Sequence, residues 1–166
     1  MTEAELELET RARAFARTLV EHATAAGATI ATAESCTAGM VASCIASIPG
    51  ASAVLRGGAA TYCDEVKHDV LGVSETTLAE HTAVSSETAL EMAEGARRVF
   101  TADIAVSLTG YAGPDGGTDS DPAGTVYIAA AGPEGATCRR FSFSGTRNEV
   151  RARAACAALE MLDALL

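Results

Sequence analysis

Tryptophan is absent from this chain, and its aromatic residues amount to three Tyr and four Phe among 166 residues. Its core must be assembled from small aliphatic side chains, chiefly Ala, Val and Leu, within a hydrophobic content of 48%. No stretch approaches the roughly 20 apolar residues of a membrane span, so no membrane association is expected. The opening Met-Thr-Glu-Ala-Glu-Leu-Glu-Leu-Glu is acidic and lacks an apolar centre, which argues against a secretory signal. Five cysteines (Cys36, Cys44, Cys63, Cys138 and Cys156) form an odd set with no Cys-x-x-Cys pair. That pattern excludes a secreted disulfide framework and points to reduced thiols in a cytoplasmic protein. The three histidines, His22, His68 and His81, do not stand at ligand spacing with these cysteines, so no metal is expected.

Lysine is also nearly missing. Of 12 basic residues one is a lysine, Lys67, and the rest are Arg. Against 22 acidic residues they leave a formal charge of −10. Such a chain is unsuited to non-specific nucleic-acid binding, which needs clustered cations. A small anionic ligand needs only one local basic pocket. The lone lysine is informative because Arg stays protonated at any working pH, whereas burial can turn Lys into a neutral amine.

Apolar residues at Leu8, Ala12, Phe15 and Leu19 predict an amphipathic helix ending near Ala26 and Gly27. A short buried strand is expected over 28–33, then a helix from Met40 to Ile48 ended by Pro49-Gly50. A second strand lies within Ala53 to Tyr62, and 64–82 reads as short helices and loops. Ser85 or Ser86 caps a helix whose inner face is Ala89, Met92, Ala93, Ala96 and Val99. A third strand spans Asp103 to Leu108, and a Gly-rich loop occupies 110–124. Strands at 125–131 and 136–143 flank a hairpin turn. A capping box at Thr146 and Glu149 opens a last helix with Val150, Ala154, Ala157, Met161 and Leu165 inward. This order predicts one α/β domain over residues 1–166: a three-layer α/β/α sandwich with a mixed, mostly parallel sheet.

Ligand sites in open α/β sheets collect at the carboxyl ends of strands. Ser35 sits there, where the first strand passes into a helix whose leading N–H groups can hold a phosphate or an oxyanion. Its plainer role would be an N-cap. Lys67 follows the second strand end at Tyr62-Cys63, and a neutral lysine beside a serine can serve as its base. Cys36 is the rival nucleophile, since a helix start lowers a thiol's pKa. Thr109, Gly110, Gly113, Gly116, Gly117 and Thr118 offer backbone N–H groups and hydroxyls for a phosphate or ribose, without matching a Walker loop. Arg147 and Arg151, one turn apart, offer the positive charge such a ligand needs.

These segments, in order, carry a resemblance. Ala33-Glu34-Ser35-Cys36-Thr37-Ala38-Gly39 resembles the AESCTGG signature of the CinA C-terminal domain family. Pro49-Gly50-Ala51-Ser52, Tyr62 to Lys67 with Leu71-Gly72-Val73, Ala83-Val84-Ser85, Thr109 to Thr118 and Pro122 to Val126 follow in that family's order. The resemblance implies a nicotinamide-nucleotide amidohydrolase, converting nicotinamide mononucleotide and water to nicotinic acid mononucleotide and ammonia. It implies Ser35 as nucleophile and Lys67 as base. Tyr62, Thr37, Gly39, Thr109, Gly110, Gly113, Gly116, Gly117, Thr118 and Arg147 are the expected substrate contacts. No metal or cofactor is implied, and a homo-oligomer, commonly a dimer, is expected. Ala38, Thr82 and Tyr111 depart from the family pattern, with Gly usual at the first two and a small or branched apolar residue at the third. The expected chemistry is acyl transfer from the carboxamide to Ser35, with backbone donors near 37–39 stabilising the oxyanion. An alternative is a non-catalytic nucleotide-binding module of the same fold; a structural role in DNA uptake is opposed by the acidic charge.

Overall fold

The computed structural model describes residues 2–166. Helix α1 (Glu3–Ala26) leads into β1 (Ile30–Glu34), α2 (Met40–Ala46) and, after a short 3-10 turn, β2 (Leu55–Ala60). Helices α3 (Asp64–Leu71), α4 (Glu75–His81) and α5 (Ser86–Phe100) precede β3 (Ile104–Gly110). The hairpin β4 (Thr125–Gly132) and β5 (Gly135–Ser142) and the closing helix α6 (Arg147–Asp163) complete the chain. The sheet order is β2-β1-β3-β4-β5. β1 runs parallel to both its neighbours, and the β3–β4 and β4–β5 pairings are antiparallel.

Strand side chains alternate between faces, and the two faces differ in size. Ile30, Val106, Leu108, Val126 and Ile128 meet α1, α2 and α6. Ala31, Ala33, Ala105, Ala129 and Ala131 meet α3 and α5, with α4 packed on α5. Small side chains let α5 approach the sheet closely, and Ser107 Oγ donates to the Ala89 carbonyl of that helix. The expected three-layer sandwich is formed, parallel at its centre. Two inward assignments differ. Val99 is exposed because its neighbour Phe100 packs against the cluster under α5, and Leu165 lies beyond the end of α6. Ser85, not Ser86, caps α5.

The same alternation organises the β1–α2 turn. Ser35 continues the parity of Ala31 and Ala33, and Glu34 falls on the opposite face, under α2. Glu34 is fully buried; its Oε2 accepts from the N–H groups of Gly39 (3.0 Å) and Val41 (3.1 Å), its Oε1 from Ala42 (2.9 Å). The cap residue itself, Gly39, supplies no side chain, so this carboxylate satisfies the helix's orphan donors and its positive end. From α6, Arg151 donates to the carbonyls of Cys36 and Thr37, both at 3.0 Å. The turn is thus held by an anion on its N–H side and a cation on its carbonyl side.

Two outcomes follow for stability. Glu34→Gln keeps the volume but presents an amide NH2 to a ring of donors; urea unfolding should show a loss of about 1–3 kcal/mol. At Gly110 a Cβ would stand 2.5 Å from the Thr125 carbonyl oxygen and 2.8 Å from Val126 Cα. Gly110→Ala should cost about 1–3 kcal/mol or more by prising β3 from β4. At this chain length that lowers the melting temperature by about 2–4 °C per kcal/mol, read by calorimetry.

Candidate active site

Ser35 follows the last residue of β1 and is pinned there by donating its N–H to the Leu108 carbonyl, 2.9 Å away on β3. It is not the cap of α2, which begins five residues later at Met40. Its side chain opens on a cavity of about 230 Å3. The wall of that cavity also holds Cys36, Tyr62, Asp64, Lys67, Thr109, Gly110, Tyr111, Gly113 and Arg147. The topology explains the gathering. β1, β2 and β3 are parallel neighbours, so the segments leaving their carboxyl ends meet on one rim of the sheet.

Lys67 reaches this rim from α3, where it occupies the inward position that Leu71 repeats one turn later. It is 1% exposed, the largest side chain so completely buried. Nζ donates to the Thr61 carbonyl at 3.1 Å and lies 3.9 Å from Asp64 Oδ1, whose carboxylate faces solvent. Burial holds the Lys67 pKa below the ordinary lysine range; Asp64 and the thiols of Cys63 and Cys36 oppose the shift. Ser35 and Lys67 face one cavity without a hydrogen bond between them, and Nζ donates to the Thr61 carbonyl. An uncharged amine donating to Thr61 keeps its lone pair free for a proton from Ser35.

Cys36 behaves contrary to expectation. Its thiol is buried, and desolvation pushes its pKa up to about 11, outweighing the nearby Arg151 and Arg147. At neutral pH it is a protonated thiol, a poor competitor for Ser35.

The remaining expected contacts divide. Tyr62 is 59% exposed, and its hydroxyl accepts from Arg147 at 2.9 Å. The same guanidinium donates to the Gly113 carbonyl at 2.9 Å, tying the start of α6 to the Gly-rich loop across the cavity. Thr109 is buried, and its hydroxyl donates to the Ala83 carbonyl; Gly110 and Gly113 line the cavity. Gly116, Gly117 and Thr118 do not. There the chain closes on itself: Thr118 N donates to the Asp121 carbonyl (2.9 Å), and Asp121 N to the Thr118 hydroxyl (3.0 Å). Thr37, Ala38 and Gly39 face a different cavity, of about 580 Å3, between α1, α2 and α6. The Ala38 methyl therefore does not narrow the space in front of Ser35.

The oxyanion donors also need revision. Ala38 N donates to the Ser35 carbonyl at 3.1 Å, and Gly39 N is taken by Glu34. Among the described residues, the Thr37 N–H makes no backbone hydrogen bond, and the Cys36 N–H is directed only at its own thiol. The sequence reading missed Glu34, although a lone carboxylate ending the otherwise uncharged strand Ile-Ala-Thr-Ala-Glu was a signal. It also missed Asp64 and Asp115, acidic groups on the cavity wall. Among the described residues, no group of three or more His, Cys, Asp or Glu is disposed to hold a metal, and no helix is long and apolar enough to cross a membrane.

The fold recurs in known proteins. The crystal structure of the competence/damage inducible protein CihA from Agrobacterium tumefaciens superposes with a TM-score of 0.91 at 39% identity, covering 93% of this chain and 95% of that one. A CinA superfamily protein from Escherichia coli gives 0.90 at 32% identity, over 100% of this chain and 94% of that one. A CinA-like protein of Myxococcus xanthus is 49% identical over 150 residues, which are 90% of this chain but 36% of the relative. The chain spans about a third of the length of the CinA-like proteins it matches. A relative of comparable size, the nicotinamide-nucleotide amidohydrolase PncC of Escherichia coli K12, is 50% identical over 139 residues, 83% of this chain and 84% of PncC. Residues 12–166 match the model of the CinA C-terminal domain, and the chain belongs to that family.

Proposed function

We propose that this chain is an amidohydrolase that deamidates nicotinamide mononucleotide to nicotinic acid mononucleotide and ammonia through Ser35 and Lys67. The observation that carries this reading is a fully buried lysine facing the same small cavity as a serine. The likeness to PncC supplies the substrate class.

In the proposed cycle the uncharged Lys67 amine takes the Ser35 proton, and Oγ attacks the carboxamide carbon. The Cys36 N–H, on the same cavity wall as Ser35, is the backbone donor offered to the resulting oxyanion. Collapse expels the nitrogen, which takes the proton from Lys67 and leaves as ammonia. Water, activated by the same amine, then splits the ester and frees Ser35. Arg147, with the tyrosine hydroxyl it holds, supplies the positive charge for a phosphate at the mouth of the cavity.

Ammonia release from nicotinamide mononucleotide tests this directly. Ser35→Ala and Lys67→Met should each lower kcat/KM by about 10²–10⁴-fold, whereas Cys36→Ala should leave it within a few-fold. Retained turnover in either of the first two variants removes the assigned roles. Nucleotide binding by calorimetry without ammonia release would favour a binding module instead.

The working form of Lys67 is the unprotonated one. Activity should therefore rise with pH to a plateau through an apparent pKa below the ordinary lysine value of 10.5. Stability has the same sign. The folded chain holds fewer protons than the unfolded one between the lowered pKa and 10.5, so the Lys67 contribution to stability rises with pH across that window. In Lys67→Met this contribution is absent, and comparing the two unfolding series against pH isolates it.

A further inference from the structure

The cavity in front of Ser35 carries groups that the proposed cycle does not use. Its wall holds the carboxylates of Asp64 and Asp115 and the ring of Tyr111. Asp115 makes no hydrogen bond or ion pair among the described residues, although Arg147 lines the same cavity; that guanidinium is spent on the Tyr62 hydroxyl and the Gly113 carbonyl. Asp64 stands 3.9 Å from Lys67 Nζ, so its charge is open to a ligand whenever that amine is uncharged. The Tyr111 backbone is fixed on both sides, its N–H donating to the Thr125 carbonyl (2.9 Å) and its carbonyl accepting from Gly124 (2.7 Å). The Gly-rich loop passes close to the ring, since a Cβ at Gly116 would stand 3.7 Å from Tyr111 Cδ1. Ser35, 9% exposed, opens on the same space with a hydroxyl that has no partner among the described residues.

A free carboxylate and an aromatic face share one preference. Both attract a cation, the first by its charge and the second by its quadrupole. The Arg147 guanidinium attracts an anion. The ligand that matches the whole wall is dipolar, with a flat cation beside Ser35 and an anionic group near Arg147. At about 230 Å3 the cavity is smaller than the roughly 300–1,000 Å3 of sites that enclose drug-sized ligands, so it takes one ring and leaves the rest of a nucleotide outside. Resting on the amidohydrolase reading, we propose that Asp64, Asp115 and Tyr111 set specificity by reading ring charge. The site takes a carboxamide on a cationic N-substituted pyridinium and rejects the same carboxamide on an uncharged, reduced ring. This selection serves the chemistry. A positive ring nitrogen withdraws electrons from the carboxamide and makes its carbon a better target for Ser35 Oγ. The groups that hold the ring charge therefore admit the reactive form and spare the reduced one.

The test is calorimetric binding to a Ser35→Ala chain, with nicotinamide mononucleotide and its 1,4-dihydro form as the two probes. They share carboxamide, ribose and phosphate and differ in ring charge. The cationic probe should bind at least about tenfold more tightly. Adding Asp115→Asn, Asp64→Asn or Tyr111→Leu should each cut that preference about threefold or more, with affinity for the dihydro probe held within about twofold. Glu134→Gln removes a carboxylate from the β4–β5 turn, at the opposite end of the sheet from Gly110, and should leave the preference intact. Equal affinity for the two probes overturns the proposal, whether or not the unmodified chain releases ammonia. So does a preference that survives all three substitutions, or variants that weaken both probes equally, the mark of a structural role. A preference found in a chain that releases no ammonia upholds the reading of ring charge and removes the amidohydrolase reading instead. Binding of neither probe removes both.

Discussion

The buried carboxylate of Glu34 is the constraint on which the rim of the sheet around Ser35 is built. A carboxylate without solvent is tolerated only where donors surround it. Here three peptide N–H groups from the first turn of α2 do so. The bond works in both directions. It gives the seven-residue α2 an anchor at the end where its own residues offer none. It also fixes the path of residues 35–38, which must turn sharply between strand and helix. Arg151 closes the turn from the other side, and its position on α6 means that the last helix of the chain sets the shape of a loop more than a hundred residues earlier. Ser35 is held by neither directly. Its own N–H ties it to the Leu108 carbonyl of β3, and its carbonyl accepts from Ala38 N.

A consequence is that the start of α2 is not an anion site. Its positive end is already matched by a charge belonging to the protein, so a ligand phosphate must find its partner elsewhere. In the proposed reading Arg147 takes that part; it lines the cavity and donates to the Tyr62 hydroxyl and the Gly113 carbonyl. The other arginines of the core regions are mostly spent on backbone carbonyls: Arg97 on Asp103 and Gly132, Arg98 on Leu71, Arg151 on Cys36 and Thr37. A planar, permanently charged fork suits that task. It does not suit a proton acceptor, the part proposed for the one lysine, Lys67.

Local rules made most of the architecture legible. The α1 stripe, the Thr146–Glu149 capping box and the hairpin strands are repeats or signatures that their own segments settle. The rim of the sheet was legible as a place, because strand ends and breaks such as Ser35-Cys36 and Tyr62-Cys63 can be read in one dimension. What the residues do there was only partly legible. The tyrosine and arginine that meet at 2.9 Å are 85 positions apart in sequence, and no local pattern couples them. The Gly-rich loop shows the reverse problem. Its composition marks flexibility for Gly113, Gly116 and Gly117 alike, but only tertiary contacts decide that Gly113 reaches the cavity while the other two build a turn. Cys36 was misjudged because a helix start suggests a low thiol pKa, and the burial that reverses the sign is not visible in a sequence.

Ala38 and Thr82, where the family resemblance led to an expectation of glycine, show how sequence and geometry constrain each other. Ala38 and Thr82 both have positive φ, 51° and 65°, and Thr82, with ψ of 173°, lies outside the left-handed helical well. Glycine enters positive φ freely, and a residue with a Cβ pays about 1–3 kcal/mol there. Each is held by its surroundings: Ala38 stands between the Glu34 cap and the Arg151 clamp, and the Thr82 carbonyl accepts from the hydroxyls of Ser85 and Thr88. Such strain persists only where neighbouring bonds over-determine the backbone. The substitutions are therefore evidence for how firmly the rim is set. A loose turn beside Ser35 would have relaxed out of the left-handed region, whereas this one holds it with a side chain attached.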